Sequence, residues 1–387
     1  MRNSPMKIRM GMIGGGEGSL IGPVHRMAAR LDGLTEMVCG AFSSDYDVCL
    51  ATGAREGLPE SRLYRTWQEM LASESNLPPE VRPHFISIVT PNNLHYGPAM
   101  EALKAGFHVV CDKPLCMTVT EAAELQETVE RTGLLFCLTH NYTGYPMVKR
   151  AREIVMGGEI GEVRKVIVEY LQGWLSAPEE TKGNRQAEWR SDPARAGMAG
   201  AMADIGTHAF NLAEYITGGE VTELSARLHS VVPGRLLDDD GTVSLLFRNG
   251  ATGSLLASQV ATGEENNLSI RIYGDKGGVT WRQMEPNTLT LSWKNGPVQL
   301  LRTGTSFPET GMAAAMHTRM PAGHPEGFIE AFANLYRNFA FQLIALRDDR
   351  ERVAGADYPG VYEGVRGMKF LRAVVTSSSN GSVNITI

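Results

Sequence analysis

The 387-residue sequence has no apolar run of about 18 residues or more, the length a membrane-spanning helix needs, so no membrane partner is expected. Cysteine is scarce. The five present, Cys39, Cys49, Cys111, Cys116 and Cys137, are odd in number and form no Cys-x-x-Cys pair. That argues against a disulfide framework or a zinc knuckle and fits reduced thiols in a cytoplasm. Dense basic stretches are missing too, and the net charge is −6. Phosphate neutralisation requires clustered Lys and Arg, so nucleic acid is not the expected partner. The polar, basic stretch from Met1 to Met10 leads into no long apolar segment, so a soluble, non-secreted protein is expected. No internal repeat or low-complexity tract is visible.

What remains is ordinary globular material. With 43% hydrophobic and 21% charged residues, the chain can fill two cores. Up to about residue 140, short apolar runs alternate with helical patterns. Strands are expected at 8–13, 36–42, 85–89, 107–111 and 134–139. Helices are expected from about 24 to 31, at 94–105 and at 120–132. Strands alternating with helices imply crossovers and a parallel sheet. From about 160 the rhythm changes. A strand at 162–170 precedes a polar, Trp-containing stretch to about 202, then a helix over 204–217. Strands follow at 221–229, 242–247, 251–259, 268–273, 278–283 and 288–293. Asn249-Gly250 marks a hairpin and Gly274–Gly278 another turn. Two more helices are expected at 326–347 and 358–377. The fold class read from this pattern is α/β: a doubly wound parallel sheet over 1–142, then an α/β domain over 143–387 with a large, mainly antiparallel open sheet.

Three strings carry chemistry. Gly14-Gly15-Gly16-Glu17-Gly18 follows the first strand. Gly14 and Gly16 fit the first two glycines of a dinucleotide turn, where backbone can approach a pyrophosphate. Ser19 stands where the third glycine is usual, and Gly22 follows three residues later, so the loop reads as lengthened. The second strand ends Ala41-Phe42-Ser43-Ser44-Asp45, with Ser43 where an NAD enzyme usually places an acid and no Arg or Lys close in sequence. NAD is the expected cofactor, with NADP possible. Next, Lys113 follows a strand and precedes Pro114, at the carboxyl end where open parallel sheets bind ligands. Last, Asp204 and His208 are four apart and share a face if the segment is helical. Oxidising an alcohol needs a base near neutral pKa, which suits His. On the residues alone, this pair also suits a helix start with a settled core His. A metal pair is a further option, but no second cluster supports one.

The set of motifs resembles the Gfo/Idh/MocA oxidoreductases. Thr90-Pro91-Asn92-Asn93-Leu94-His95 looks like that family's T-P-N-x-x-H. Ala105–Pro114 resembles its A-G-K-H-V-x-x-E-K-P, with Asp112 in place of Glu. Asp204-Ile-Gly-Thr-His208 matches its D-x-G-x-H. The resemblance implies a Rossmann domain, a second domain with an open sheet, and a homo-oligomer (dimer or tetramer) built on that sheet. It implies that Thr90, Pro91, Asn92, His95, Asp112 and Lys113 join Gly14–Gly18 and Ser43 around the cofactor. Catalysis falls to Lys113, Asp204 and His208: His208 accepts the alcohol proton, Lys113 polarises the oxygen, and Asp204 orients substrate or imidazole. Two further strings, Thr139–Tyr142 and Glu188–Pro193, offer the amides, cation and flat aromatic wall of a polyol pocket, which adds Asn141, Tyr142 and Arg190 to the substrate contacts. The expected activity is NAD(P)-dependent oxidation of a secondary hydroxyl of a sugar, inositol or glycoside. Alternatives are a glycosidase-type enzyme using tightly held NAD for transient oxidation, and a non-enzymatic NAD sensor.

Overall fold

A computed structural model describes residues 7–305 and 311–387. Most of the basic N-terminal stretch lies outside the described residues. The chain divides into two compact units: one runs to Asn141 and adds Phe332–Val365, the other comprises Tyr142–Ala331 and Arg366–Ile387. The sequence division at 142 assigns 332–365 to the second domain, whereas its contacts lie with the first unit.

The first unit runs β1 (Ile8–Gly14), α1 (Ile21–Leu31), β2 (Thr35–Ala41), α2 (Tyr46–Arg55), α3 (Trp67–Ser75), β3 (Phe85–Val89), α4 (Tyr96–Lys104), β4 (His108–Cys111), α5 (Val119–Thr132) and β5 (Phe136–Leu138). Among the described residues the five strands form one parallel sheet in the order β2-β1-β3-β4-β5. β1, β3 and β5 are buried on both faces, as their near-continuous apolar runs require. The order reverses between β1 and β3, which places the binding crevice beyond the carboxyl ends of those strands. α2 and α3 are absent from the sequence expectation, for a physical reason. α2 buries only Cys49, Thr52 and Gly53, and α3 only Met70, Leu71 and Glu74, so neither shows an apolar stripe. Their starts are fixed instead by capping side chains, Asp45 and Thr66. α1 begins three residues before the expected start, with Pro23 tolerated in its first turn.

The second unit continues with α6 (Pro146–Met156), β6 (Val163–Leu171), α7 (Arg185–Arg190), α8 (Pro193–Ala196) and α9 (Thr207–Thr217). Then come β7 (Val221–His229), β8 (Asp240–Phe247), β9 (Thr252–Ser258), β10 (Asn267–Gly274), β11 (Gly277–Arg282), β12 (Thr288–Trp293) and β13 (Val298–Arg302). α10 (Met312–Met316), α11 (Phe328–Arg347), α12 (Val361–Ser379) and β14 (Ile385–Thr386) complete the order, and the division between units falls inside α11 and α12. Nine described strands form a sheet ordered β13-β12-β11-β10-β6-β9-β8-β7-β14. All its pairs are antiparallel except β6 with β9. β8 alternates buried and exposed residues throughout, the mark of a sheet with one covered face. α9 packs against β6, β9 and β10, and α6 against β11 and β12. Two strands escaped the sequence reading: β13, whose residues are mostly exposed, and β14, with two residues. The stretch 171–202, expected to be a loop, contains α7 and α8, each started by a capping side chain, Asn184 and Asp192.

Candidate active site

In the first unit the turn after β1 is shaped by sterics. Gly14, Gly15 and Gly18 adopt φ of 78°, 72° and 85°, which side chains disfavour. A Cβ on Gly14 would stand 2.7 Å from the Val89 carbonyl oxygen, and one on Gly16 2.9 Å from that of Phe42. A Cβ on Gly22 would meet the Gly15 oxygen at 2.1 Å, so Gly22 is the third glycine, packing α1 against the turn. Not every amide of the turn is available to a ligand. Gly16 N–H donates to the Phe42 carbonyl at 3.0 Å and Glu17 N–H to Thr52 Oγ1 at 3.0 Å. α1 starts with no capping side chain and no acidic residue in its first turn. The buried Ser19 hydroxyl has no hydrogen-bond partner among the described residues. A glycine turn with an uncapped helix N-terminus suits a pyrophosphate, so the residues present fit a dinucleotide. Glu17 pairs with Arg55 at 2.8 Å on the surface, and Ser43 Oγ accepts the Asp45 amide at 3.1 Å.

Thr90 and Pro91 follow β3, and the largely buried Asn92 starts a single turn there. His95, expected against the cofactor, lies inside the first unit. It is fully buried, with Nδ1 2.7 Å from the Pro114 oxygen and Nε2 2.9 Å from the Thr90 oxygen. A neutral imidazole has one N–H, so one of these two carbonyls receives the hydrogen bond, and the ring lies between the loops after β3 and β4. Burial pushes its pKa down. Below Lys113 runs a polar chain inside the unit. Asp112 Oδ1 accepts Thr139 Oγ1 at 2.7 Å and the Lys113 amide at 2.9 Å. His25 Nε2 stands 3.9 Å from the same oxygen, an ion-pair distance too long for a hydrogen bond. The other His25 nitrogen shares a hydrogen bond with Tyr336 at 2.7 Å, and Tyr336 with Ser87 at 2.8 Å. Burial works to raise the Asp112 pKa, but the facing His25 and the Lys113 charge hold it well below the usual carboxylate range. Burial and the Lys113 charge push His140 down to about 3. Asn141, next along, is buried, and its amide nitrogen has no partner among the described residues.

In the second unit the regular helix begins at Thr207, not at 204. Met202–Gly206 forms a π-helical turn, so Asp204 lies on the wider turn and His208 opens α9. Asp238 caps this segment, its carboxylate accepting the Gly200 amide at 2.7 Å and the Met202 amide at 2.8 Å. A Cβ on Gly206 would meet Met202 Sδ at 2.3 Å and Ala257 Cβ at 3.5 Å, which accounts for the glycine. Asp204 Oδ2 accepts Arg190 Nε at 2.9 Å and Gln259 Nε2 at 2.9 Å. Arg190 was expected against substrate; its Nε serves Asp204 and its Nη1 serves Gln186. Its guanidinium lies 4.2 Å over the Trp189 ring and 5.6 Å from that of Trp174. His208 is buried edge-on to the Tyr142 ring, centroids 4.9 Å apart. Tyr142 and Tyr170 share a short hydroxyl contact. Asn211, one turn beyond His208, has a buried carbonyl oxygen with no partner among the described residues.

Sequence reasoning missed Gln172, Gln259, Asn266, Asp238, His25 and Tyr336. Only strand pairing could have found the glutamines: each follows a strand end, and Leu171 pairs with Ser258 in the parallel β6–β9 ladder. Among the described residues no group of three or more His, Cys, Asp or Glu could hold a metal ion. No described helix is long and apolar enough to cross a membrane.

Residues 8–140 match the oxidoreductase family with an NAD-binding Rossmann fold. Residues 148–280 match the GFO/IDH/MocA C-terminal domain. An uncharacterized oxidoreductase of Bacillus subtilis (strain 168), YfiI, is 32% identical over 380 residues, 97% of this chain and 96% of its own. The crystal structure of an oxidoreductase from Sinorhizobium meliloti is 43% identical, spans 98% of this chain and 99% of its own, and gives a TM-score of 0.88. An inositol dehydrogenase homolog from Azotobacter vinelandii, solved with NADH and myo-inositol, is 32% identical over 99% of this chain and 98% of its own, with a TM-score of 0.90.

Proposed function

The chain belongs to the GFO/IDH/MocA family of NAD-binding oxidoreductases that act on CH–OH groups, and from that premise we propose that it reversibly oxidises a secondary hydroxyl of a cyclic polyol, either an inositol, a sugar or a glycoside. The observation that carries this reading is the Asp204 carboxylate, gripped by Arg190 and Gln259 one helical turn before His208. Bound NAD supplies the hydride acceptor. His208 takes the proton of the hydroxyl as general base. Lys113 supplies a positive charge that stabilises the developing alkoxide. Asp204 orients the substrate or the imidazole. The orphaned Asn211 carbonyl oxygen is an acceptor that a ligand hydroxyl satisfies, since a buried polar group without a partner is costly. The buried Asn141 amide nitrogen, without a partner among the described residues, is a donor that a ligand can satisfy. The relative that carries myo-inositol supports a cyclic polyol as substrate.

Ser43, in the loop just after β2, leaves the ribose without the usual acid, so discrimination between NAD and NADP is modest and favours NAD. The proposal includes a homo-oligomer formed through the solvent-facing side of the nine-stranded sheet, with sedimentation velocity as its check. The function itself is tested by screening inositols, sugars and glycosides with each nicotinamide cofactor and following the absorbance of the reduced form. Turnover with at least one cyclic polyol is expected. Failure of all classes with both cofactors, or bond cleavage without free NADH, overturns it.

A further inference from the structure

We propose that Gln259 is a positioning residue for the proton-handling pair, fixing the Asp204 carboxylate through a side-chain network that ends on the tyrosine packed against His208. The proposal rests on the catalytic reading of Asp204 and His208 above.

The network lies wholly within the second unit. Gln259 is buried, and its backbone is held from both sides: its N–H donates to the Asp239 carbonyl at 2.8 Å and its carbonyl accepts the Leu175 N–H at 3.1 Å. Its side-chain nitrogen reaches two acceptors, Asp204 Oδ2 at 2.9 Å and Gln172 Oε1 at 3.2 Å. Gln172 Oε1 also receives Trp174 Nε1 at 2.9 Å, and an indole only donates. The opposite end of the Gln172 amide donates to Asn266 Oδ1 at 2.8 Å. That oxygen also accepts the Tyr170 hydroxyl at 2.7 Å, and Asn266 Nδ2 donates to the Tyr142 oxygen at 3.1 Å. With Tyr170 donating to Asn266, the contact between the two hydroxyls is made by the Tyr142 proton. Tyr142, Tyr170 and Asn266 thus close a ring with a single sense of donation, and the Tyr142 ring lies edge-on to His208.

This arrangement has one consistent set of protons. Turning the Gln259 amide over would set its carbonyl oxygen against a carboxylate and against Gln172 Oε1. A proton on Asp204 Oδ2 would face two donors, Arg190 Nε and Gln259 Nε2. The network therefore requires Asp204 to present an unprotonated Oδ2 to these donors. Through that oxygen Asp204 acts as an orienting acceptor beside His208.

Gln259→Leu removes the donor, and Gln259→Glu keeps the shape while setting a second carboxylate against Asp204. Both are measured for kcat, KM and pH profile on a substrate found by the screen, with NAD affinity by titration and His208→Ala as control. Gln259→Leu is expected to lose about 10²-fold in kcat, the scale of a catalytic group displaced by about 1 Å, with NAD affinity unchanged. Gln259→Glu is expected to keep activity only at lower pH, where the proton shared by the facing carboxylates still provides a donor to Asp204 Oδ2, and to lose it as the pH rises and both ionise. Its profile therefore gains an ionisation that the wild type lacks. The inference is overturned if Gln259→Leu stays within about threefold of wild type, or if Gln259→Glu loses the same factor at every pH. Should Gln259→Leu not fold, the isosteric Gln259→Glu profile decides alone. If His208→Ala keeps its turnover, the catalytic reading fails; if it loses turnover while the Gln259 variants do not, only this inference fails.

Discussion

In the first unit the residues shaping the turn after β1 are glycines, which offer nothing but backbone and the absence of a Cβ. In the second, Asp204 is reached by two side-chain donors, and Gln172 links two further groups through its amide. The first arrangement is a matter of space. Gly14, Gly16 and Gly22 each stand where an added carbon would come within 3 Å of a carbonyl oxygen. The second is a matter of proton direction, since each amide is held by which of its ends donates. Errors in the first should be close to all-or-none, and errors in the second graded and dependent on pH.

The largest effect should come from breaking the steric half. Gly16→Val sets its Cβ 2.9 Å from the Phe42 oxygen and 3.3 Å from Val48 Cγ1, both within the first unit. The turn must move, and NAD binding should be lost in a fluorescence titration. An unchanged affinity would show that the turn has slack that its geometry denies.

Acid should separate the two units next. His84, His108 and His140 all lie in the first unit with pKa values lowered mainly by burial, the last to about 3. Each stays neutral when folded, while the unfolded chain takes up protons below about pH 6.5. Their contribution to stability is therefore lost as the pH falls from about 6.5 towards their folded values. At about 1.4 kcal/mol per pH unit, His140 alone withholds on the order of 3 kcal/mol by about pH 4. In the second unit burial raises the pKa of Glu214 and Asp238, so their folded forms bind protons first and their contribution grows as the pH falls. Glu180, held down by Arg235, works the other way. Hydrogen exchange from neutral to about pH 4 should show the first unit losing protection first. Earlier loss in the second unit would reverse the comparison.

The smallest effect should come from one hydroxyl. Tyr142→Phe opens the ring it forms with Tyr170 and Asn266 and leaves a buried amide proton unpaired, costing about 1–3 kcal/mol. Thermal unfolding should register that loss while NAD affinity stays unchanged. Weaker NAD binding would mean that the two halves are not separable in this way.

The same contrast decides how much could be read from the sequence. The strands of the first sheet and the glycine turn are legible because backbone geometry dictates residue type at fixed spacing. Gly22 was noticed as a late glycine, but its role needs the 2.1 Å approach to the Gly15 oxygen. α2 and α3 were invisible because neither buries an apolar stripe. The surroundings of His95 were not legible because a motif position carries no mark of direction, and this ring faces two backbone carbonyls. Asp204 and His208 were found as a local pair. Gln172, Gln259 and Asn266 were not, because they meet only through the pairing of β6 with β9 and β10, which no local pattern announces.

The central claim is that nucleotide binding rests on the backbone of the first unit and proton transfer on His208 of the second. His208→Ala tests it most directly, with kcat and NAD affinity measured on the same preparation. Turnover should fall by about 10²–10⁴-fold, the usual worth of a general base, while NAD affinity stays at the wild-type value. Turnover near wild type, or NAD affinity lost along with it, would contradict the account.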